Sequence, residues 1–304
     1  AAIGGYIRQK GKPFNNELNS HPLVSVIIPT LNGSKFILDC LRSIYNQTYK
    51  NIEVIVVDGG STDNTVELIK QNFHQVKLLS SPKGRGRQVN FGVKNAKGEY
   101  VYRVGNDFVL DPEVIEQCVI AIQNGSDMIA VHNTSNPKVS FWSKVRKFER
   151  DMYRGDIHNI VPRFMSKKIW ESVGGLNEDL IAAEDYHMYN LLREKGYKLG
   201  FIKAEEMHMD EHKNLLEVFR KFYFYGKTIV NSPDKNNRTL IANLTFAQKF
   251  PLRPAFIKNW YKFILHPILT IGLIVYLDVK FTAGVLGYLS AKINPKKVED
   301  KTFK

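Results

Sequence analysis

Between residues 23 and 131, short apolar runs and helical apolar patterns take turns at least four times, a rhythm that only a sheet covered by helices accommodates. The first run, Leu23-Val-Ser-Val-Ile-Ile28, is stopped by Pro29 and suits a strand buried on both faces. Ile37, Cys40, Leu41, Ile44 and Tyr45 then recur at helical spacing. Ile52 to Val57 is a second buried run, ending at Asp58 and two glycines, and Val66, Ile69 and Phe73 mark the next helix. Val76 to Leu79, Arg87 to Ala96, Tyr100 to Val104, a helix after Pro112 and a strand near Met128 to Val131 continue the series. The expected fold class is α/β, with a mostly parallel sheet flanked by helices.

A chain of 304 residues with 43% apolar content has room for one large domain of this kind and an appendage, so disorder is not its default. Its formal charge of +13 favours an anionic partner, whether nucleic acid, phospholipid headgroups or a phosphorylated substrate. Cys40 and Cys118 fall in helix-like patterns with no second ligand at metal spacing, and they are expected as buried packing residues in a reducing compartment. Residues 1–20 are polar, basic and Asn-rich, read as an N-terminal extension whose start is trimmed. Near residue 215 aromatic and basic residues begin to interleave, which sets expected domains at 21–215 and 216–304.

Ligands of open α/β sheets bind beyond the carboxyl ends of the strands, which directs attention to Pro29-Thr-Leu-Asn32, Asp58-Gly-Gly-Ser-Thr-Asp-Asn-Thr65, Gly105-Asn-Asp107 and Glu184-Asp185. A carboxylate at Asp58 suits the N–H of a uracil ring, while Gly59 and Gly60 let the backbone turn sharply and approach a ligand. Asp63 or Asn64 is suited to cap the following helix. Lys83-Gly-Arg-Gly-Arg87 sets three cations and two glycines just before a helix, an arrangement suited to a diphosphate. One carboxylate at Asp107, together with diphosphate oxygens, is chemically sufficient for a hard cation.

The first two of these segments resemble the family 2 glycosyltransferases of the Rossmann-like GT-A fold, whose strands end in Pro-x-x-Asn and in Asp-Asp/Gly-Gly-Ser-Thr-Asp-x-Thr. The likeness extends over residues 22 to 212. It implies a nucleotide-sugar donor, with Pro29, Thr30 and Asn32 lining the nucleoside pocket, Asp58 and Gly59 at the base, and Arg85 or Arg87 at the diphosphate. The family often has an Arg before the Asn that matches Asn90, where this sequence has Val89. Its Asp-x-Asp metal motif corresponds to Gly105-Asn-Asp107, so the first Asp is absent. The resemblance gives Asp107 a Mn²⁺ or Mg²⁺ ion and His208 the place of an added metal ligand or phosphate contact, while Asn106 could ligate through its amide oxygen or contact the sugar. It makes Asp185 the catalytic base of an inverting transfer and leaves Glu184 to orient the acceptor or cap the helix.

Phe263 to Leu277 and Phe281 to Ala291 are uncharged, separated by Asp278 and Lys280. One helix from 268 to 291 would be about 36 Å long, but charges at mid-bilayer cost roughly 2.5–3.5 kcal/mol each. Basic flanks on both sides, among them Lys258, Lys262, Lys292 and Lys296, together with Trp260 and Tyr261, predict a re-entrant hairpin or two in-plane helices at the cytoplasmic face of the cell membrane. The acceptor expected there is lipid-linked or a cell-surface polysaccharide, with a polyprenyl phosphate as the alternative. A nucleotidyltransferase would need a Gly-rich loop after the first strand, where Leu31-Asn-Gly-Ser has one glycine. Nucleic acid is motivated by charge alone and is not expected as a partner.

Overall fold

The computed structural model describes residues 18–157, 160–180, 184–230 and 253–293, so most of the expected extension at 1–20 lies outside the described residues. Eight strands form one sheet: β1 (Val24–Thr30), β2 (Ile52–Asp58), β3 (Lys77–Ser80), β4 (Tyr100–Arg103), β5 (Phe108–Leu110), β6 (Met128–Ser135), β7 (Phe164–Ser166) and β8 (Leu199–His208). Their order is β3-β2-β1-β4-β7-β6-β8-β5. The α/β class is as expected, and β3-β2-β1-β4 is parallel. Beyond it the sheet is mixed, with antiparallel pairs β4–β7, β6–β7 and β5–β8. The strict strand–helix alternation that forces parallel crossovers ends at this point in the chain. β1 runs one residue past Pro29, whose partner in register is Val57, to Thr30 opposite Asp58.

Helices α1 (Ile37–Tyr45), α2 (Thr65–Asn72), α3 (Arg85–Lys94), α4 (Val114–Gln123), α6 (Lys167–Ser172) and α7 (Glu184–Glu194) accompany the sheet, with α5 (Phe141–Met152) between α4 and α6. Residue alternation along β1 sorts the core into two layers. Val24, Val26 and Ile28 pack with Ile37, Leu41 and Ile44 of α1, whereas Ile27 packs with Ile55, Val57 and the α3 residues Val89 and Val93. Cys40 and Cys118 are buried and unpaired by disulfide, as expected. Gly92 lets α3 approach the sheet, since a Cβ there would stand 2.5 Å from Ile27 Cγ2.

The chain divides into two compact units, one of Ala1–Asn133, Ile157–Glu178 and Ala183–Met209, the other of Thr134–Asp156, Asp179–Ala182 and Asp210–Lys304. The second therefore takes in α5 as well as α8 (Leu215–Val230), α9 (Pro254–Lys258), α10 (Trp260–Leu265) and α11 (Pro267–Ile293). In place of the expected hairpin or pair of in-plane helices, α11 is one continuous helix. Neither charge breaks it, because Asp278 reaches solvent and Lys280 Nζ lies 3.6 Å from the Glu149 carboxylate of α5.

Glu149, 1% exposed, also accepts from Arg146 at 2.5 Å, Tyr153 Oη at 3.1 Å and Arg253 at 3.3 Å. Burial works to raise its pKa, but Lys280, Arg146 and Arg253 overcome that and hold the carboxyl well below the usual range. A depressed carboxyl contributes stability above its unfolded pKa of about 4.3, lost as pH falls through the native value. Glu149→Gln leaves these cations uncompensated, so denaturant unfolding of the full chain at pH 7 should show a loss of about 3–5 kcal/mol. An unchanged midpoint would mean that the cations find other partners.

Candidate active site

The loops that follow β1 and β2 are tied to each other by their own polar side chains. Asn32, the one non-glycine described with positive φ, at 50°, accepts from Thr62 N–H at 2.8 Å and donates its own N–H to Ser61 Oγ at 2.8 Å. Asp63 accepts from Ser34 N–H at 3.1 Å and from the Thr65 hydroxyl, and Thr65 Oγ1 accepts from Gly33 N–H at 2.8 Å. Desolvation opposes ionisation of Asp63, yet the hydrogen bonds from Thr65 and Ser34 lower its pKa. Asp63 thus joins two loops as well as holding the first N–H of α2, at 3.1 Å, and Asn64 makes no side-chain cap.

Asp58 is buried at the end of β2, where its carboxylate accepts from the N–H groups of Gly60 and Ser61, each at 3.0 Å, and from Ser61 Oγ at 2.5 Å. Gly60 takes φ +90°, the left-handed turn anticipated from the paired glycines. Gly59 donates to Thr30 O at 2.9 Å and faces Gln88, a buried amide that donates to Thr30 O and Val57 O at 2.8 Å each. Gln88 locks the ends of β1 and β2 to α3, and nothing in its sequence context marked it. Thr30 Oγ1 is buried with no hydrogen-bond partner.

Gly33 is fixed by the third segment, because a Cβ there would lie 2.0 Å from Asn106 Nδ2 and 2.5 Å from Thr30 Oγ1. Gly33→Ala is expected to displace Asn106 and to cost about 1–3 kcal/mol by overpacking, checked by thermal melts of parent and variant. An unchanged melting temperature would mean that the Asn106 and Thr30 side chains give way without cost. Next along the chain, Asp107 Oδ2 and His208 Nε2 stand 3.1 Å apart, brought together by the β5–β8 register that sets Phe108 opposite His208.

The basic segment is not a loop before α3: Arg85 and Arg87 lie within its first turns, after Gly84 at φ +138°. Both are engaged by carboxylates. Arg85 Nε donates to Glu184 Oε1 at 2.5 Å, and Arg87 Nε to Glu178 Oε2 at 3.4 Å. Glu184 is fully buried, and Asp185, next to it at the start of α7, turns instead to Arg103, whose Nη2 lies 3.7 Å from Asp185 Oδ2. Neighbours at a helix start point roughly 100° apart, which separates the two carboxyls. Burial works to raise the Asp185 pKa, but Arg103, Arg85 and Arg163 outweigh it and hold the carboxyl below its ordinary value.

Arg103 is 7% exposed, and its Nε and Nη2 make no hydrogen bond. Burial pulls its pKa down while Asp185 pulls it up. It was missed as a functional residue, although a lone cation in the buried run Tyr100 to Val104 was its signal. Arg163 was missed too. It pairs with buried Glu206 at 2.7 Å, which accepts from Tyr102 Oη at 2.8 Å, and it lies over the Phe108 ring.

The profile of Glycosyl transferase family 2 matches residues 25–177. Among curated proteins, chondroitin synthase of Escherichia coli is 29% identical over 201 residues, 63% of this chain and 29% of that protein. Hyaluronan synthase of Pasteurella multocida is 31% identical over 205 residues, 63% of this chain and 21% of that protein. The chain thus spans less than a third of the length of either relative. Among solved structures, the mannosyltransferase PcManGT from Pyrobaculum calidifontis, in complex with GDP-Man and Mn²⁺, shares the fold at TM-score 0.59 and 18% identity, over 94% of this chain and 92% of that one.

Proposed function

This chain belongs to glycosyl transferase family 2, and from that premise we propose that it transfers a sugar, with inversion, from a UDP-linked donor to a lipid-linked or polysaccharide acceptor at the cytoplasmic face of a membrane. The observation that supports the reading is the placement of the Asp185 carboxylate at the start of α7, 3.7 Å from the Arg103 guanidinium at the end of β4, in the same unit as the tied loops after β1 and β2. Displacement at an anomeric carbon needs a base on the face opposite the leaving nucleotide. Asp185 takes the proton of the acceptor hydroxyl as that oxygen bonds to the anomeric carbon and the bond to the nucleoside diphosphate breaks. Asp58, Asn32 and Thr30 hold the nucleoside, with Pro29 and Gly59 forming its backbone wall. Arg85 and Arg87 face the diphosphate while tied to Glu184 and Glu178, which orients them and tempers their charge.

Asp107 and His208 would suit a divalent ion, Mn²⁺ or Mg²⁺, since their carboxylate oxygen and imidazole nitrogen, 3.1 Å apart, would offer two donors to one cation. Among the described residues no group of three or more His, Cys, Asp or Glu side chains assembles, so Asp107 and His208 would be the protein's ligands, with Asn106 nearby in sequence, and a bound donor's phosphate oxygens would have to supply the rest. When bound, the ion neutralises charge developing on the leaving diphosphate. The decisive experiment is a screen of UDP-, GDP- and TDP-sugars for binding and slow hydrolysis with Mn²⁺ present. Binding of none of them would reject the donor assignment, and preference for a GDP-sugar would reject the uracil contact at Asp58.

A further inference from the structure

The helix α11 has two unlike sides. One is packed tightly within its own unit: a Cβ on Gly226 of α8 would stand 2.2 Å from Gly284 O, one on Gly287 would stand 2.0 Å from Tyr223 O, and Gly272 abuts Phe141 and Val145 of α5. Tyr276 and Leu277 are buried on this side. The opposite side is exposed and mostly apolar, from Ile268 (71%) and Ile271 (64%) through Phe281 (68%) to Ile293 (85%), interrupted by exposed Asp278 and Thr282, and α10 extends it with Ile264 and Leu265. Among the described residues nothing covers this stripe along the 27-residue helix, and an apolar face of that length marks a binding surface.

Its borders say which. At one end Trp260 and Tyr261 are exposed beside Lys258 and Lys262, and at the other Lys292 lies over the Tyr288 ring, 5.4 Å from its centroid. Aromatic rings paired with cations belong at the headgroup layer. The chain's charge of +13 adds attraction to anionic lipid. By length and composition α11 would also cross a bilayer. Its packed side argues otherwise. Lys280, midway along, meets Glu149, which is paired with Arg146 and Arg253, on a helix α5 in which six of twelve residues are charged. Spanning would bring that cluster to the hydrocarbon centre.

We propose that the exposed side of α10 and α11 inserts lengthwise into one leaflet of an anionic membrane, its axis parallel to the surface, while the Glu149–Lys280 cluster stays within protein. The inference deepens the membrane-surface reading above and rests on it, but not on the catalytic assignment.

The test uses the full chain with vesicles of phosphatidylcholine alone or with 30% phosphatidylglycerol, a composition set by the experimenter at roughly the anionic content that polybasic surfaces discriminate. Flotation should require the anionic lipid. The double variant Ile268→Asp and Ile271→Asp changes only exposed side chains, and it should lose at least about 10-fold in vesicle binding with unchanged melting temperature. Depth is read by lipid-nitroxide quenching of a dye placed by Ile271→Cys, Phe281→Cys or Ile293→Cys, the native Cys40 and Cys118 being buried. Similar shallow depths at all three positions are expected. Binding with Phe281 deepest would overturn the in-plane arrangement while leaving the membrane reading intact. No vesicle binding, with a dimer that the double variant dissolves, would assign the face to a second copy and overturn both. Sugar transfer is assayed separately on a soluble acceptor, so loss of catalysis and loss of membrane binding are told apart.

Discussion

Asp185→Asn is expected to slow sugar transfer by about 10²–10⁴-fold, the ordinary worth of one positioned proton acceptor, with donor Kd unchanged. The amide keeps the shape of the carboxylate and removes its basicity. Glu184→Gln should be milder, and the ion pair with Arg85 redirects its expected effect from the acceptor to the donor KM. Transfer rates and donor Kd for both variants decide the matter. A larger rate loss in Glu184→Gln would reverse the two roles. The pH dependence follows from the neighbours: Arg103, Arg85 and Arg163 hold Asp185 below the usual carboxylate range, so its acid limb should lie below that of an ordinary aspartate. Arg103→Gln removes the nearest cation and should move that limb upward, whereas a purely structural Arg103 would leave it in place.

Asp107→Asn is expected to abolish metal-dependent turnover while the melting temperature stays near that of the parent, because Asp107 is the single carboxylate of the two-residue pair with His208. His208→Ala should weaken the response to Mn²⁺ by less, since diphosphate oxygens and Asp107 remain. The measurement is initial rate against Mn²⁺ concentration. Full activity of Asp107→Asn, or of the parent in excess EDTA, would remove the ion from the mechanism.

The alternation from Val24 to Val104 was legible because burial on both faces of a strand writes itself locally, as runs such as Val54-Ile-Val-Val57 with none of them more than 3% exposed. The turn after Asp58 was legible for a similar reason, since Gly60 needs a positive φ that other residues resist. The antiparallel half was not. β5 and β7 are three residues each, too short to carry a period, and their pairing follows from the partners that the sheet offers.

Sequence alone determined the family motif, the positions of Asp58 at a strand end, Asp107 in the segment after the next buried run and Asp185 at a helix start, and an apolar stretch near the C-terminal end of the residues described, because each is a matter of residue type and near-neighbour spacing. Tertiary structure decided which charges meet. Arg103 finds Asp185, Arg85 finds Glu184, Arg163 finds Glu206 and Lys280 finds Glu149 across long stretches of chain. A single charge carries no periodicity to announce its partner. Only burial makes the pairing compulsory, since an ion removed from water must be met by another, and burial is settled once the sheet and helices have packed.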